Sequence, residues 1–166
     1  MFSSPNMSSK SSLNQEFLPI IDELQIDDIQ KSFLRIRWLG QLNWLKTRAK
    51  QSRDRYYFLR LVTIIGGSLV PALITLKFDI AALIVSQLVA ISAAVEELFH
   101  YGENHRRYRN SAEGLKYEGW QFLQLVGVYG DSIHAEAFHL FAANVELILK
   151  QDLEGYIQLS QVKKES

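Results

Sequence analysis

Two short motifs in the sequence place a glutamate three residues before a histidine, a spacing that metal sites use. Glu97 and His100 form the first Glu-x-x-His motif, and Glu136 and His139 form the second. Residues three apart lie on one face of a helix, and two such motifs supply half of the ligands of a di-iron or di-manganese carboxylate bundle. The first hypothesis is therefore a di-metal carboxylate helical-bundle enzyme.

The remaining ligands of such a site are hard to find in the sequence. A bridging glutamate is needed from each of two further helices, and Glu113 or Glu118 could supply one of them. Residues 31–95, however, contain only Asp54 and Asp79 as acids. The chain has no cysteine, no glycine-rich phosphate loop and no nucleophilic serine turn. We therefore expect no enzyme activity, no metal and no cofactor, and the di-metal enzyme is the weaker alternative.

The elements that would position these residues are all helical. Past residue 19 the only proline is Pro71, and no alternating strand pattern bounded by turn residues occurs. The sequence predicts an all-α fold of four main helices: an amphipathic helix over 28–54, helices over 56–76 and 80–101, the latter continuing to about 126, and a C-terminal helix over 132–160. Residues 1–14 are predicted to be a disordered tail and residues 161–166 a second tail, so that 15–160 form one helical domain.

The helix over 28–54 carries an apolar stripe. Asp27 or Asp28 is positioned to cap its first turn. Apolar residues then recur at steps of three and four, which predicts that they share one face toward a core: Ile29, Phe33, Ile36, Leu39, Leu42 and Leu45.

Two apolar blocks follow, and they predict a transmembrane helical hairpin. Residues 61–76 and 80–95 each contain 16 residues without a charge, and only Lys77-Phe78-Asp79 lies between them. Sixteen helical residues span about 24 Å, short of the roughly 30 Å hydrocarbon core. Aromatic residues lengthen both blocks on the same side, at 56–58 and 99–101, and both blocks are apolar on all faces.

Cations surround this hairpin at one end. Residues 31–60 carry nine Lys or Arg and one acid, Asp54. The positive-inside rule therefore places both termini in the cytoplasm and the turn outside. We expect five of these cations to contact anionic lipid headgroups rather than nucleic acid: Arg48, Lys50, Arg53, Arg55 and Arg60.

Small residues predict how the hairpin packs. A row at steps of four on the second helix, and a similar row on the first, would let helix backbones approach closely. The rows are Ala82, Ser86, Ala90 and Ala94, and Thr63, Gly67 and Pro71. Gln87 is the one strongly polar side chain at mid-membrane depth, where it would make an interhelical hydrogen bond or line a pore.

The first Glu-x-x-His motif has an electrostatic reading as well. Glu96, Glu97 and His100 lie where the second apolar helix would leave the membrane, on a charged cytoplasmic extension. Around the axis of an oligomer the two glutamates would form an acidic ring that favours cations. The alternative is a solvated helix surface.

The stretch YGENHRRYRNSAEGLKYEGWQF, directly after the hairpin, resembles a known family. With RDRYYFLRLVTIIGG at the start of the first apolar helix, it is similar to the domain-of-unknown-function family four-two-three-one (DUF4231) over about residues 45–125. The matching positions are Glu103, Asn104, Tyr108, Arg109, Ala112, Glu113, Leu115 and Glu118. The family often has tryptophan where His105 stands in this chain.

The resemblance implies a membrane protein without catalytic residues. That family is similar to the SLATT superfamily of two-transmembrane-helix proteins, which are associated with SMODS and SLOG domains and are proposed to form pores in bacterial conflict systems. We therefore predict a homo-oligomeric channel or pore-forming protein, with a membrane-anchored scaffold that has no pore as the alternative. The expected partners are the lipid bilayer, further copies of the chain and a cytoplasmic protein. The expected location is the bacterial inner (plasma) membrane, or alternatively a thylakoid membrane.

Overall fold

The computed structural model describes residues 8–165, which are almost entirely helical and contain no strand. This confirms the predicted all-α class. The helices in chain order are α1 (Ser8–Glu23), α2 (Asp28–Ser32), a π-helical segment (Phe33–Trp38), α3 (Leu39–Thr75), α4 (Asp79–Phe99), α5 (Tyr101–Gln124), a 3₁₀ turn (Gly127–Tyr129) and α6 (His134–Glu165).

The chain forms two compact units rather than the single domain expected over 15–160. Residues 48–106 form the hairpin unit, which holds most of α3 and all of α4. The described residues up to Thr47 and from Arg107 onward form the bundle unit. The helices α3 and α5 each contribute residues to both units.

The core of the bundle unit is built around Trp38. Its indole is fully buried, and its edge meets the rings of Phe17 on α1 and Phe141 on α6 at centroid distances of 5.1 and 6.1 Å. The indole Nε1 donates a hydrogen bond of 2.9 Å to the Leu115 carbonyl oxygen on α5. Trp38 therefore joins three helices to its own, and its one polar atom has a partner, as burial requires.

A glycine makes room for this indole. An added methyl group at Gly119 on α5 would lie only 2.0 Å from Trp38 Cζ2. The six-membered edge of the ring therefore rests directly on the α5 backbone. No larger residue fits there unless the indole moves.

The predicted apolar stripe over 28–54 is partly wrong. Leu39, Leu42 and Leu45 are buried, but Ile29 and Ile36 are 82% and 76% exposed. Steps of three turn the stripe by about 60° each time, so it winds away from the core. The core face instead follows steps of four, four, three and four, with these residues buried: Leu34, Trp38, Leu42, Leu45 and Ala49.

The π-helical segment explains the remaining difference. A π turn holds one more residue than an α turn. Phe33 and Leu34, which are neighbours in sequence, are accordingly both directed to the core: Leu34 is fully buried, and Phe33 packs edge-on against Phe138 at 5.5 Å. The sequence pattern of an ideal α-helix does not contain this adjustment.

The helix ends also differ from the predicted ones. The predicted tail 1–14 overlaps α1, which begins at Ser8 because Leu13, Phe17 and Ile21 recur every fourth residue and are buried. Residues 1–7 of that tail lie outside the described part of the chain. At the other end α6 continues to Glu165, through most of the second predicted tail, since no glycine or proline follows Gly155.

The helices predicted over 28–54 and 56–76 form one continuous stretch. Helical structure runs from Asp28 to Thr75, because residues 41–65 contain neither glycine nor proline. The predicted start is confirmed: Asp27 is the N-cap of α2, and its backbone N–H donates to Gln30 Oε1 at 3.3 Å. The predicted continuation past 101, in contrast, is interrupted at His100.

The tight contact at Gly119 gives a direct test of the bundle core. We expect Gly119→Ala to lower the free energy of unfolding by about 1–3 kcal/mol, because overpacking forces the indole from its place. Thermal unfolding followed by circular dichroism in detergent measures the change. Gly114→Ala is the matched control, since its added methyl group would meet Ile148 at an ordinary 3.8 Å. Equal melting temperatures for the two variants would contradict the proposed packing.

Candidate functional site

The hairpin unit contains the two most apolar helices of the chain. Both belong to helical stretches long and apolar enough to cross a membrane, and only 6% of the most apolar 18-residue window in each is buried. The core helix of a water-soluble protein would be mostly covered by its neighbours. The 21 residues of α4 extend about 30 Å, which matches the hydrocarbon thickness.

The two helices meet along a narrow seam at Gly66. An added methyl group there would lie 2.5 Å from Val89 Cγ2 and 3.6 Å from Val85 Cγ1, so the valines pack on the bare α3 backbone. Ala82 and Ser92 on α4 are buried in the same unit. Close approach at a small residue is the packing that membrane helices use.

The spacing of small residues in the sequence points to the neighbouring glycine, Gly67, instead. An added methyl group at Gly67 would point into open space, whereas Gly66 is buried. The paired glycines in TIIGGS look alike in the sequence, and only the contact with Val89 separates them. Thr63 is half-buried with its hydroxyl donating to the Leu59 carbonyl oxygen at 3.0 Å, and Pro71 is exposed.

The row of small residues on α4 winds around the helix, away from the contact with α3. Ala82 is buried, Ser86 is half-buried, and Ala90 and Ala94 are exposed. Each step of four advances about 40° around an α-helix, so four residues in such a row span a third of its circumference. The row therefore begins against α3 and ends on the face that α3 does not cover.

Gln87 lies on this uncovered face. Its side chain is exposed, and Ala94, seven residues on, shares its side of the helix. Gln87 is also near the middle of α4, about equally far from Asp79 and Glu96. The one strongly polar residue of the span is thus directed away from the hairpin rather than into it.

At the other end of α4 the two adjacent acidic residues differ in exposure. Glu96 is half-buried and Glu97 is exposed. His100 adopts a left-handed conformation with φ of 45°, which ends α4, and its backbone N–H donates to the Glu96 carbonyl oxygen at 3.0 Å. The Glu-x-x-His spacing of Glu97 and His100 therefore spans the end of α4 rather than lying within the helix.

The structure does not assemble the metal ligands of the Glu-x-x-His hypothesis. Glu136 and His139 are both exposed on α6. Among the side chains that the structure describes, at Leu13 and over 15–154, no three histidine, aspartate or glutamate residues come close enough together to hold a metal ion.

The residues named from the family resemblance have mostly structural contacts. Asn104 Nδ2 donates to the Phe99 carbonyl oxygen at 3.0 Å and so closes the end of α4. Tyr108 packs edge-on against Trp44 at 5.7 Å. Three others are exposed on the surface of α5: Glu103, Arg109 and Glu113.

Glu118 is the centre of a partly buried polar cluster in the bundle unit. Its Oε1 accepts hydrogen bonds from the Tyr129 hydroxyl and from Asn144 Nδ2, the latter at 2.7 Å, and Asn144 also reaches the Tyr129 oxygen at 3.0 Å. Burial first, and then the hydrogen bond to the Glu118 carboxylate, raise the pKa of Tyr129 above its ordinary range. Tyr129 and Asn144 were not identified from the sequence, since nothing in their spacing links them.

The predicted lipid-facing cations are all exposed, in line with an accessible basic surface: Arg48, Lys50, Arg53, Arg55 and Arg60. Arg53 pairs with its neighbour Asp54 at 3.1 Å, an exposed contact that contributes little stability. The Arg55 guanidinium lies 5.7 Å from the centroid of the Tyr101 ring. We call these five cations the basic collar, and all of them remain accessible in the hairpin unit.

One comparison with known proteins gives a match. A family model described as "Protein of unknown function (DUF4231)" matches residues 40–137, which include the hairpin and all of α5. No curated protein and no solved structure matches the chain.

The polar cluster at Glu118 should make stability depend on pH in the alkaline range. A tyrosine whose pKa is raised on folding stabilises the fold fully below its unfolded pKa of about 10, and this contribution is lost as the pH rises further. We therefore expect the midpoint of chemical unfolding to fall more steeply between about pH 9.5 and 11 than it does in Tyr129→Phe. Tyr117→Phe, at a 66% exposed tyrosine, is the control and should keep the steep fall.

The seam at Gly66 can be tested by a double-mutant cycle. We expect Gly66→Ala to destabilise the hairpin by about 1–3 kcal/mol, because the β-branched Val89 has little freedom to move aside. Val89→Ala in the same chain should restore part of the loss, since it removes the clashing methyl groups. Thermal unfolding in detergent gives the coupling energy. Gly67→Ala is the control, and a loss there as large as at Gly66 would show that the seam is misplaced.

Proposed function

Because this chain belongs to the DUF4231 family of proteins of unknown function, we propose its function from its own geometry: it is a two-pass integral membrane protein that assembles into a homo-oligomeric pore. The hairpin unit crosses the bilayer, and several copies surround a water-filled path. The proposal is supported by the surface of α3 and α4, by the charges at their ends and by the position of Gln87.

The membrane assignment is supported by what the hairpin leaves uncovered. Large aliphatic side chains on both helices are more than half exposed in the single chain, including Ile64 at 60% and Leu83 at 61%. A monomer in water rarely carries a contiguous apolar surface of this extent. In hydrocarbon the same side chains are solvated, and the helical backbone satisfies its own polar groups.

The orientation follows from the charges at the two ends. The exposed cations of the collar lie at one end, and the turn carries Lys77 beside Asp79. Both termini are then cytoplasmic in a bacterial inner membrane, or face the equivalent side of a thylakoid membrane. Anionic headgroups meet the collar, and the bundle unit is available to a cytoplasmic protein partner.

The position of Gln87 carries the pore assignment. An exposed carboxamide at the middle of an apolar helix would be costly against lipid. It is directed away from the partner helix of its own hairpin, so only water or another copy can provide its hydrogen bonds. A ring of copies with this face of α4 toward the axis provides both.

The cytoplasmic mouth would select for cations. Glu97 is exposed near the end of α4, while Glu96 is half-buried, so Glu97 is the stronger contributor to an acidic ring. Rings of carboxylates raise the local cation concentration. His100, exposed at the end of the same helix, lies next to this ring.

A scaffold without a pore is the second candidate, and α6 favours it. Ile133, directly before α6, and Leu140 and Leu147 on α6 recur every seventh residue and are 61%, 45% and 53% exposed. Such a stripe is suited to contact another helix. In this case the hairpin anchors the protein and the bundle unit binds the partner.

Ion flux from liposomes containing the purified chain separates the two candidates. The pore predicts flux for the natural sequence and a loss of roughly tenfold or more in Gln87→Leu, because a dry constriction that adds about 1.4 kcal/mol to the barrier slows passage tenfold. Gln124→Leu, an exposed glutamine of α5, is the matched control and should keep the flux. Liposomes that stay sealed with the natural chain inserted would support the scaffold, and a chain that remains in the aqueous phase would contradict both.

A further inference from the structure

An apolar groove of about 260 Å³ opens along one flank of the hairpin. Its floor is the bare backbone at Gly66, and its walls come from both helices. The main lining residues are Phe58, Leu61, Ile65 and Leu69 on α3 and Leu88 on α4. We call this side the groove flank.

Over its half nearer the basic end, the opposite flank of the same hairpin is built from small residues; nearer the turn it carries two large exposed residues, Ile74 and Leu83. Residues two apart on an α-helix point about 160° away from each other. Gly67 therefore lies opposite Ile65 on α3, and Ala90 lies opposite Leu88 on α4. Gly67 has open space around it, and Ala90 is exposed. We call this side the small flank. The rows of small residues predicted on two separate helices thus meet on one surface.

The two flanks also carry opposite charges at the collar end. Asp54 lies four and seven residues before Phe58 and Leu61, so it continues the groove flank. Arg60 lies seven residues before Gly67, so it begins the small flank. Asp54 is the one acid among residues 31–60; within its own chain it pairs with Arg53 at 3.1 Å, and Lys50 lies one turn before it on the same flank. Both side chains are exposed.

We infer that the groove is occupied by a second copy of the chain, whose small flank enters it. This inference rests on the proposed oligomeric pore and names its interface. A helix with alanine and glycine on its surface can lie deep in a groove, because its backbone approaches without side chains in the way. The guanidinium of Arg60, extended toward the headgroups, then reaches the neighbour's Asp54.

Such a contact joins two different surfaces, and this determines the assembly. A heterologous contact repeated around an axis closes into a ring. Each hairpin uses one flank for the neighbour on its left and the other for the neighbour on its right. The face of α4 between the flanks, with Gln87, is then directed to the axis. An acyl chain in the groove would account for neither the small flank nor the opposite charges.

Disulfide crosslinking tests the contact directly, because the natural chain has no cysteine. Ile65→Cys on the groove flank and Ala90→Cys on the small flank lie at similar depth, since Gly66 faces Val85 and Val89. In one chain they are on opposite flanks and cannot be bridged. The double variant, oxidised in liposomes, should give a ladder of dimers, trimers and larger species, and each single variant should remain monomeric.

The remaining outcomes all overturn the inference. A covalent dimer from Ala90→Cys alone would mean that two small flanks meet each other. A covalent dimer from Ile65→Cys alone would mean that two groove flanks meet each other. A monomeric double variant would leave the groove to lipid. The pair Ile65→Cys with Ile80→Cys is the control, because Ile80 lies near the turn, and a ladder from it would show unspecific collision.

A charge exchange gives a second readout in the intact sequence. Asp54→Arg and Arg60→Asp should each shift the detergent-solubilised protein toward smaller species in size measurement, since each places like charges at the contact. The double variant should restore the original size. Losses that simply add in the double variant would contradict the pairing of these residues.

The crosslinking experiment tests the interface and the ion-flux experiment tests the pore, so either result can be negative without the other. A ladder in liposomes that stay sealed would keep the interface and remove the pore. Flux without a ladder would keep the pore and show that its copies meet through other surfaces.

Discussion

The uncovered apolar surface of α3 and α4 is the constraint on which the structure depends. Between residues 61 and 95 each helix is apolar around most of its circumference, yet only Gly66, Ala82 and Ser92 of this stretch are buried. The hydrophobic effect acts on area removed from water, so this surface must be removed by something other than the chain's own fold. In our proposal, a bilayer and further copies of the hairpin remove it without change to the helices.

The bundle unit, in contrast, buries its apolar core within its own fold. Trp38, Phe122 and Phe141 are fully buried, and the last two rings stack with centroids 4.4 Å apart. Several of its polar groups pair within the unit, as in the cluster at Glu118 and the ion pair of Arg107 with Asp152 at 3.4 Å, whose carboxylate also accepts a hydrogen bond from Ser111. One chain therefore combines a unit folded against water with a unit that needs another solvent or partner.

The two flanks of the hairpin differ, and this difference links the packing within one chain to the assembly that we propose between chains. Gly66 is used inside the hairpin, where Val85 and Val89 fill its space. Gly67, one residue later, is on another face and leaves a shallow surface that the chain itself does not use. Two adjacent glycines thus serve two contacts, one within the protomer and, in our proposal, one between protomers. The polar Gln87 lies on a third face, which such an assembly leaves open to water.

The sequence by itself determined the helical class, the hairpin and its short turn, and the family. These follow from local properties: uncharged runs of helical length, a capping aspartate before residue 28, and a specific run of residues after the hairpin. Periodicity was less reliable where a helix departs from ideal geometry. Ile29 and Ile36 were placed toward the core but are exposed, because steps of three wind around the helix and because the π-helical segment changes its register.

Only the tertiary structure decided which residues touch. It chose Gly66 over Gly67, placed Trp38 on Gly119, gathered Tyr129 and Asn144 around Glu118, and ended α4 at His100. It also brought small residues from two separate helices onto one flank. These facts depend on the rotation and depth of one helix against another, which shape complementarity fixes to fractions of a turn. A spacing rule within one helix contains no information about its neighbour, and for that reason the sequence could not supply them.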